Sequence, residues 1–316
     1  MPEKPSLLIV NNFHADTIAK LDARYETHHL WLLSETEKRG LIDQLEGSCE
    51  AAATASWVCD EIVYELGSLR VLSCFGVGVD GIDFERTAAA GIAVTNTPDV
   101  LNDAVADLAI ALILATTRDI VNADRFVRAG EWLKGPLPFG AGLAGRTLGI
   151  LGLGRIGSAI VRRAEPFGLR FAYHNRRRKD DVSFPYFESA RELAENSDIL
   201  LNMLPGGPET FGLVDLEVLD ALGPEGIFIN VGRGSSVNES ALVQALRHGL
   251  IAGAGLDVYA NEPNVPAELL TMDDVVLLPH IGSATVETRA AMGNLVVDNL
   301  DSWFSAHRLL TEVTGN

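Results

Sequence analysis

The chain of 316 residues carries 43 acidic against 25 basic side chains, a formal net charge of -18, and is 47% hydrophobic and 22% charged. That length supports two domains, each with its own core, and the composition is that of an ordinary globular protein without repeats. The acidic balance argues against a nucleic-acid or anionic-membrane partner, so an anionic ligand has to be caught locally, by particular arginines and backbone amides. The opening Met1-Pro-Glu-Lys-Pro-Ser has no apolar signal core. Leu108 to Ala115 is too short, and too closely flanked by Asp107 and Arg118, to span a bilayer, which points to the cytoplasm. Cys49, Cys59 and Cys74 show neither CxxC nor Cys/His metal spacing, so they read as small buried residues in a reducing compartment and no metal is expected.

Along the first half, Leu7 to Val10, Thr27 to Leu32, Ala51 to Ala55, Val71 to Phe75 and Ile92 to Val94 read as strands separated by amphipathic stretches. That alternation implies a parallel sheet with helices on both faces. Asn96-Thr97-Pro98-Asp99 punctuates the chain, and Asn102 to Ala129 follows as one long helical pattern rich in Ala, Leu and Ile, the expected domain crossing. Gly135 to Gly145, rich in Gly and Pro, leads into a second alternation. Its strands are expected at Thr147 to Leu151, Leu169 to His174, Asp198 to Met203, Gly226 to Val231, Ile251 to Leu256 and Val275 to Leu278. A last helical pattern, Ala284 to Ala306, lies beyond them and can return to the first domain. The expected fold is α/β: two doubly wound parallel-sheet, Rossmann-like domains with the active-site cleft between them. Residues 1–98 with 285–316 would form the substrate domain, and 99–284 the dinucleotide-binding domain.

Gly149-Ile-Leu-Gly152-Leu153-Gly154-Arg155-Ile156-Gly157 stands directly behind an apolar run and before a helical pattern, Ile156 to Phe167. In that context Gly152 allows the tight turn, Gly154 lets backbone approach a pyrophosphate, and Gly157 lets the helix pack close to the sheet. The helix N-terminus offers unpaired N–H groups and a positive dipole end to the phosphates. A NAD site places an acid at the end of the next strand to hold the ribose hydroxyl, yet no Asp or Glu occurs from Pro166 to Lys179. The chain reads His174-Asn175-Arg176-Arg177-Arg178-Lys179 there, so a 2'-phosphate would meet guanidinium forks, and NADP(H) is preferred over NAD(H). Arg176 and Arg177, nearest the strand end, are the expected contacts. The plainer reading is a solvated basic turn.

Charged residues recur where the later strands end: Arg233 in Val231-Gly232-Arg233-Gly234, Asp257 and Glu262 in Leu256-Asp-Val-Tyr-Ala-Asn-Glu262-Pro263, and His280 in Pro279-His280-Ile-Gly282-Ser283. A reductase of 2-keto acids needs those parts: a cation for the carboxylate, a proton donor for the carbonyl oxygen, and a carboxylate that keeps the donor protonated. In order and spacing these segments, with the glycine fingerprint and Asn230, resemble the D-isomer-specific 2-hydroxyacid dehydrogenase family, and more narrowly its glyoxylate/hydroxypyruvate reductase branch. The resemblance covers essentially the whole chain. It implies NADPH-dependent reduction of small 2-keto acids to D-2-hydroxy acids, with Arg233, Glu262 and His280 catalytic. It also implies that Val77 and Gly78 present backbone amides to the substrate carboxylate, with Arg233 and Ser283 completing the substrate set. Val105, Leu204, Pro205, Val231, Gly232, Arg233, Asp257, His280 and Gly282 would join Gly152 to Gly157, Asn175, Arg176 and Arg177 around the cofactor. With the long Asn102 to Ala129 pattern it suggests a homodimer.

Each residue also has a duller reading. His280 could cap a helix, Arg233 could form a surface ion pair, Glu262 could sit in a turn before Pro263, and Gly76 and Gly78 could be turn glycines. Asp257 either contacts the nicotinamide side or braces its loop, and Trp132 reads as a buried packing residue before it reads as cover for a substrate pocket across a dimer interface. A formate dehydrogenase of the superfamily would carry Gln in place of Glu262. A phosphoglycerate dehydrogenase would usually favour NAD and continue into a regulatory domain. Reduction of 2-ketogluconate or aromatic pyruvates remains open, as does a nucleotide-sensing, corepressor-like role, against which the chain offers no long disordered tails.

Overall fold

The computed structural model describes residues 4–55 and 57–315. In chain order, β1 (Ser6–Ile9), α1 (Ala15–Arg24), β2 (Glu26–His29), α2 (Glu35–Leu45), β3 (Ala51–Ala55), β4 (Val71–Phe75), α3 (Phe84–Ala90) and β5 (Ala93–Thr95) come first. They are followed by α4 (Asn102–Thr117), α5 (Ile120–Arg128), β6 (Thr147–Leu151), α6 (Arg155–Ala164), β7 (Arg170–His174), α7 (Ala190–Glu195) and β8 (Ile199–Asn202). Next are α8 (Leu216–Leu222), β9 (Ile227–Asn230), α9 (Glu239–Arg247), β10 (Gly253–Leu256), β11 (Val275–Leu277), α10 (Val286–Ala306) and β12 (Glu312–Val313). Two compact units result, Met1–Leu101 with Thr285–Asn316, and Asn102–Ala284. Among the described residues no helix is long and apolar enough to cross a membrane.

The first unit holds a six-stranded sheet ordered β12-β5-β4-β3-β1-β2, parallel except for β12. Every residue of β3 and β4 is buried, as strands covered on both faces must be. Two details depart from the sequence expectation. Leu30–Leu32 is a 3-10 turn rather than the end of a strand, and β12 pairs antiparallel with β5 at the sheet edge, where no strand was expected. Helix α10 packs on α1 and β4, and Gly293 makes that fit possible, since a Cβ there would lie 1.9 Å from the Thr17 hydroxyl.

The second unit holds an all-parallel sheet ordered β11-β10-β9-β8-β6-β7. The chain runs from β6 to β7 on one side and returns to β8 on the other, so the order reverses at β6, the place where such sheets bind ligands. One apolar cluster around Phe228, Leu200 and Leu219 fills one face, and another around Tyr173, Ile150 and Leu112 fills the other. The single helix expected over Asn102 to Ala129 is two. Thr116 and Thr117 turn their hydroxyls back onto the Leu112 and Ile113 carbonyls, and Asp119 then takes a left-handed φ of 52°. Back-bonded threonines bend helices, and aspartate tolerates the left-handed region that ends this one.

Candidate active site

In the second unit His174, Leu151, Asn202, Asn230 and Leu256 lie side by side across five strands. The chain leaves the sheet immediately after this row, so the segments expected to carry chemistry emerge along one edge.

The glycine turn follows β6. Gly152 has a φ of 91°, and a Cβ on it would approach the Met203 carbonyl oxygen to 2.9 Å, so it is a turn glycine held against the neighbouring strand end. Gly157 would meet the Gly152 carbonyl at 3.1 Å, which keeps α6 close to the turn. Gly154 caps the start of α6 in an extended conformation, and a Cβ there would have no protein atom within 4 Å. Nothing inside the chain therefore demands glycine at 154. The open space lies before the amides at the head of α6, and in this respect the turn fits a dinucleotide.

Asn175 bridges the end of β7 to this turn: its Oδ1 accepts from Leu153 N at 2.6 Å and its Nδ2 donates to Leu153 O at 3.3 Å. Arg155 and Gly154 are exposed and Ile156 is half-buried. Beyond Asn175, Arg176 and Arg177 are exposed, and Arg176 pairs with Glu209 at 2.8 Å. An ion pair this open to water is worth little, and a dianionic phosphate can displace it.

Two buried asparagines shape the loops after β8 and β9. Asn202 Nδ2 donates to Asn230 Oδ1 at 3.0 Å and to Ser236 Oγ at 2.7 Å, while its Oδ1 accepts from Leu204 N. Asn230 in turn accepts from Gly232 N and donates to the Arg233 carbonyl. Leu204 and Val231 are buried, Pro205 is exposed, and Gly232 sits so close that a Cβ would be 2.8 Å from the Leu204 carbonyl. Gly234 is tighter still, its Cβ position lying 1.8 Å from the Tyr259 carbonyl carbon. That contact brings the Arg233 loop against the segment leading to Glu262. Arg233 is half-buried as a residue and donates from Nη1 to the Gly232 carbonyl at 2.8 Å.

His280 Nδ1 lies 2.7 Å from Glu262 Oε2, and Glu262 Oε1 accepts from Tyr259 N at 3.0 Å. Burial opposes charge on Glu262, but the hydrogen bonds from His280 and Tyr259 N, with the positive charges of His280 and Arg233, outweigh it. The carboxyl is held below the usual carboxylate range. Glu239, at the start of α9, adds a clamp, accepting from Ala260 N at 2.9 Å. Burial, with the nearby Glu262 charge, lifts the Glu239 carboxyl above its usual range.

His280 adopts a left-handed φ of 54°, costly for a side chain of its size, and surrounding bonds impose it. Asp257 supplies them: its carbonyl accepts from His280 N at 2.9 Å, and its two carboxylate oxygens accept from Ile281 N and Gly282 N, each at 2.8 Å. Of the two roles open to Asp257 in the sequence, bracing the loop is the one these bonds perform. Gly282 has Val105 packed 3.5 Å from its Cβ position, and Ser283 follows half-buried.

The first unit holds the Gly76 to Gly78 loop after β4. Gly76, with a φ of 143°, exchanges bonds with Thr97, and Asn96 Nδ2 donates to the Val77 carbonyl at 2.8 Å. Because the Val77–Gly78 peptide is planar and trans, that bond turns the Gly78 N–H to the opposite side. Trp132 departs from its expected burial: it is 68% exposed, beside Leu133 at 94%, and α5 just before it buries none of its own residues.

Sequence reasoning passed over Asn202, Ser236, Glu239 and Asn96. The available signal was asparagine closing an apolar strand, since strands disfavour it unless its amide has buried work to do.

A sequence profile for the D-isomer specific 2-hydroxyacid dehydrogenase NAD binding domain matches residues 110–282. A glyoxylate/hydroxypyruvate reductase A of Arabidopsis thaliana is 45% identical over 300 residues, covering 93% of this chain and 94% of the relative. A hydroxyphenylpyruvate reductase of Plectranthus scutellarioides is 45% identical over the same length, with the same coverage. Among solved structures, an NADPH-dependent glyoxylate/hydroxypyruvate reductase of Sinorhizobium meliloti in complex with NADP and malonate superposes with a TM-score of 0.91 at 43% identity, covering 98% of this chain and 97% of the other. With its glycine turn, its strand-end Arg, Glu and His and this similarity along nearly its whole length, the chain belongs to the D-isomer specific 2-hydroxyacid dehydrogenase family.

Proposed function

We propose that the protein is an NADPH-dependent reductase of small 2-keto acids, glyoxylate and hydroxypyruvate foremost, yielding D-2-hydroxy acids. The observation that carries this is the 2.7 Å contact of His280 Nδ1 with Glu262. With Nδ1 committed to the carboxylate, Nε2 is the atom left to give a proton to a keto oxygen, and Glu262 both orients the ring and stabilises its cationic form. Arg233 grips the substrate's carboxylate and carbonyl oxygens with its planar fork, Ser283 lies beside them, and the amides of Val77 and Gly78 take the other carboxylate oxygen. Asp257 keeps the His280 turn in place throughout.

A nicotinamide dinucleotide, when bound, supplies the hydride. Gly152 to Gly157 would hold its pyrophosphate, with Asn175 fixing that turn, and Val105, Leu204, Pro205, Val231, Gly232 and Gly282 would line the cofactor side. For preference of NADP over NAD, the support is the exposed Arg176 and Arg177 after a strand end without an acid, together with the NADP held by the Sinorhizobium neighbour. A homodimer is supported by Ile120, Val127, Trp132, Leu133 and Phe139, all at least half exposed on α5 and the segment after it. A cytoplasmic location is supported by three free cysteines.

A second reading, reduction of aromatic pyruvates, is favoured by the equal identity to the hydroxyphenylpyruvate reductase. The deciding experiment follows NADPH and NADH consumption with glyoxylate, hydroxypyruvate, phenylpyruvate and 2-ketogluconate, in wild type and His280→Ala. Turnover with NADPH that the variant loses supports the proposal, and the ranking selects the substrate. Tight NADPH binding with no turnover on any of them would refute it and favour a sensing role.

A further inference from the structure

Arg289 sits in the first turn of α10, whose N-terminus is capped by Thr285 Oγ1 accepting from Thr288 N. Its guanidinium carbon lies 5.7 Å from the ring centroid of Phe75, the last residue of β4, and Gly76, Val77 and Gly78 follow directly. The same ring is stacked against Phe13 at 5.4 Å and His14 at 5.8 Å, so Phe75 is a fixed platform.

The arginine is half-buried, and burial pulls its basicity below that of an ordinary guanidinium. No carboxylate among the described residues pulls it back, in a chain with 43 acidic side chains. Three other arginines of the same unit do have a carboxylate partner, Arg24 with Asp301, Arg39 with Glu65 and Arg86 with Glu61. A desolvated cation without a counter-charge is expensive, and stacking on an aromatic face offsets only part of that cost. Such a charge is kept where an anion arrives from outside the chain.

Given the reductase activity proposed for the protein, we infer that Arg289 is a further substrate-binding residue, gripping the keto acid's carboxylate beside the Val77 and Gly78 amides. The amides offer fixed donors, and Arg289 adds the net charge they lack. Uncharged substrate analogues gain nothing from it, so it tilts specificity toward anionic keto acids.

The test compares wild type with Arg289→Met, which keeps an apolar stem on Phe75, and Arg289→Lys, which keeps a charge but not the fork. Glyoxylate kinetics are read together with protection against thermal unfolding by oxalate, which needs no turnover. In Arg289→Met, KM for glyoxylate rises roughly tenfold or more and oxalate protection weakens to match, as loss of a charge-assisted hydrogen bond requires. KM for NADPH stays put and kcat moves less than about twofold. Arg289→Lys falls between. An unchanged KM and unchanged oxalate protection in a folded variant would overturn the inference, as would a fall in kcat alone, which marks a packing role. Should the Met variant fail to fold, the Lys variant decides on the same two readouts. Absence of turnover in wild type would sink the reductase proposal instead, and oxalate protection would still report on Arg289.

Discussion

Gly154 and Gly152 stand two residues apart in one turn, yet the structure predicts opposite consequences for the same substitution. At Gly154 an alanine methyl meets no protein atom within 4 Å and the backbone is extended. Restricting the unfolded chain favours alanine by about 0.4–1 kcal/mol, while losing glycine at a helix cap costs about 0.5–1.5 kcal/mol. The two nearly cancel, so Tm should move by less than about 3 °C. The methyl does occupy the approach to the amides at the head of α6. Displacing a phosphate from even one charge-assisted bond there costs about 1.5–3 kcal/mol, which weakens NADPH binding roughly 10- to 100-fold. At Gly152 the φ of 91° and the Met203 carbonyl at 2.9 Å both oppose a Cβ. Strain of about 1–2 kcal/mol and overpacking of about 1–3 kcal/mol should lower Tm by roughly 5–15 °C. The assays are thermal unfolding without cofactor and a fluorescence titration with NADPH. Gly154→Ala binding NADPH within twofold of wild type, or melting as early as Gly152→Ala, would refute the assignment of the open position to the cofactor.

His280→Ala should lose about 10²–10⁴ in kcat with little change in NADPH affinity, measured by steady-state kinetics and titration. Because the folded Glu262 carboxyl is depressed, its pairing contributes above the ordinary carboxylate value and is lost as pH falls through the lowered one. The Tm gap between wild type and Glu262→Gln should therefore shrink on acidification, and a gap that widens in acid would be contrary to it. Arg176→Ala with Arg177→Ala should raise KM for NADPH roughly tenfold or more and leave NADH unaffected; an equal change for both cofactors would return the segment to a solvated turn. Leu133→Glu with Phe139→Glu should give a monomeric sedimentation mass at assay concentration, against a dimeric one for wild type.

Strands buried on both faces were legible to the residue: Ala51–Ala55, Val71–Phe75 and Thr147–Leu151 are apolar runs that begin and end abruptly. Helix continuity was not. The break at Asp119 has neither Gly nor Pro to mark it, because it depends on threonine hydroxyls competing for carbonyls. The edge strand Glu312–Val313 has too few residues for any period to register, and its pairing with β5 is wholly tertiary. In the site, Arg233, Glu262 and His280 were readable from segment order, while the residues that aim them were not. Glu239 looks like any acid at a helix start, and Asn202 like an interruption.

The contact of Gly234 with Tyr259 bears on how a chain of this kind could age. A descendant that stopped turning over keto acids would still be unable to replace Gly234, since any side chain would collide with backbone whatever the protein did for a living. Gly154 is under no such compulsion and would drift as soon as no phosphate came to its door. The first glycine is a fossil of architecture and the second, on the function proposed, a record of trade with a ligand, so in a silent relative the second would be the first to go.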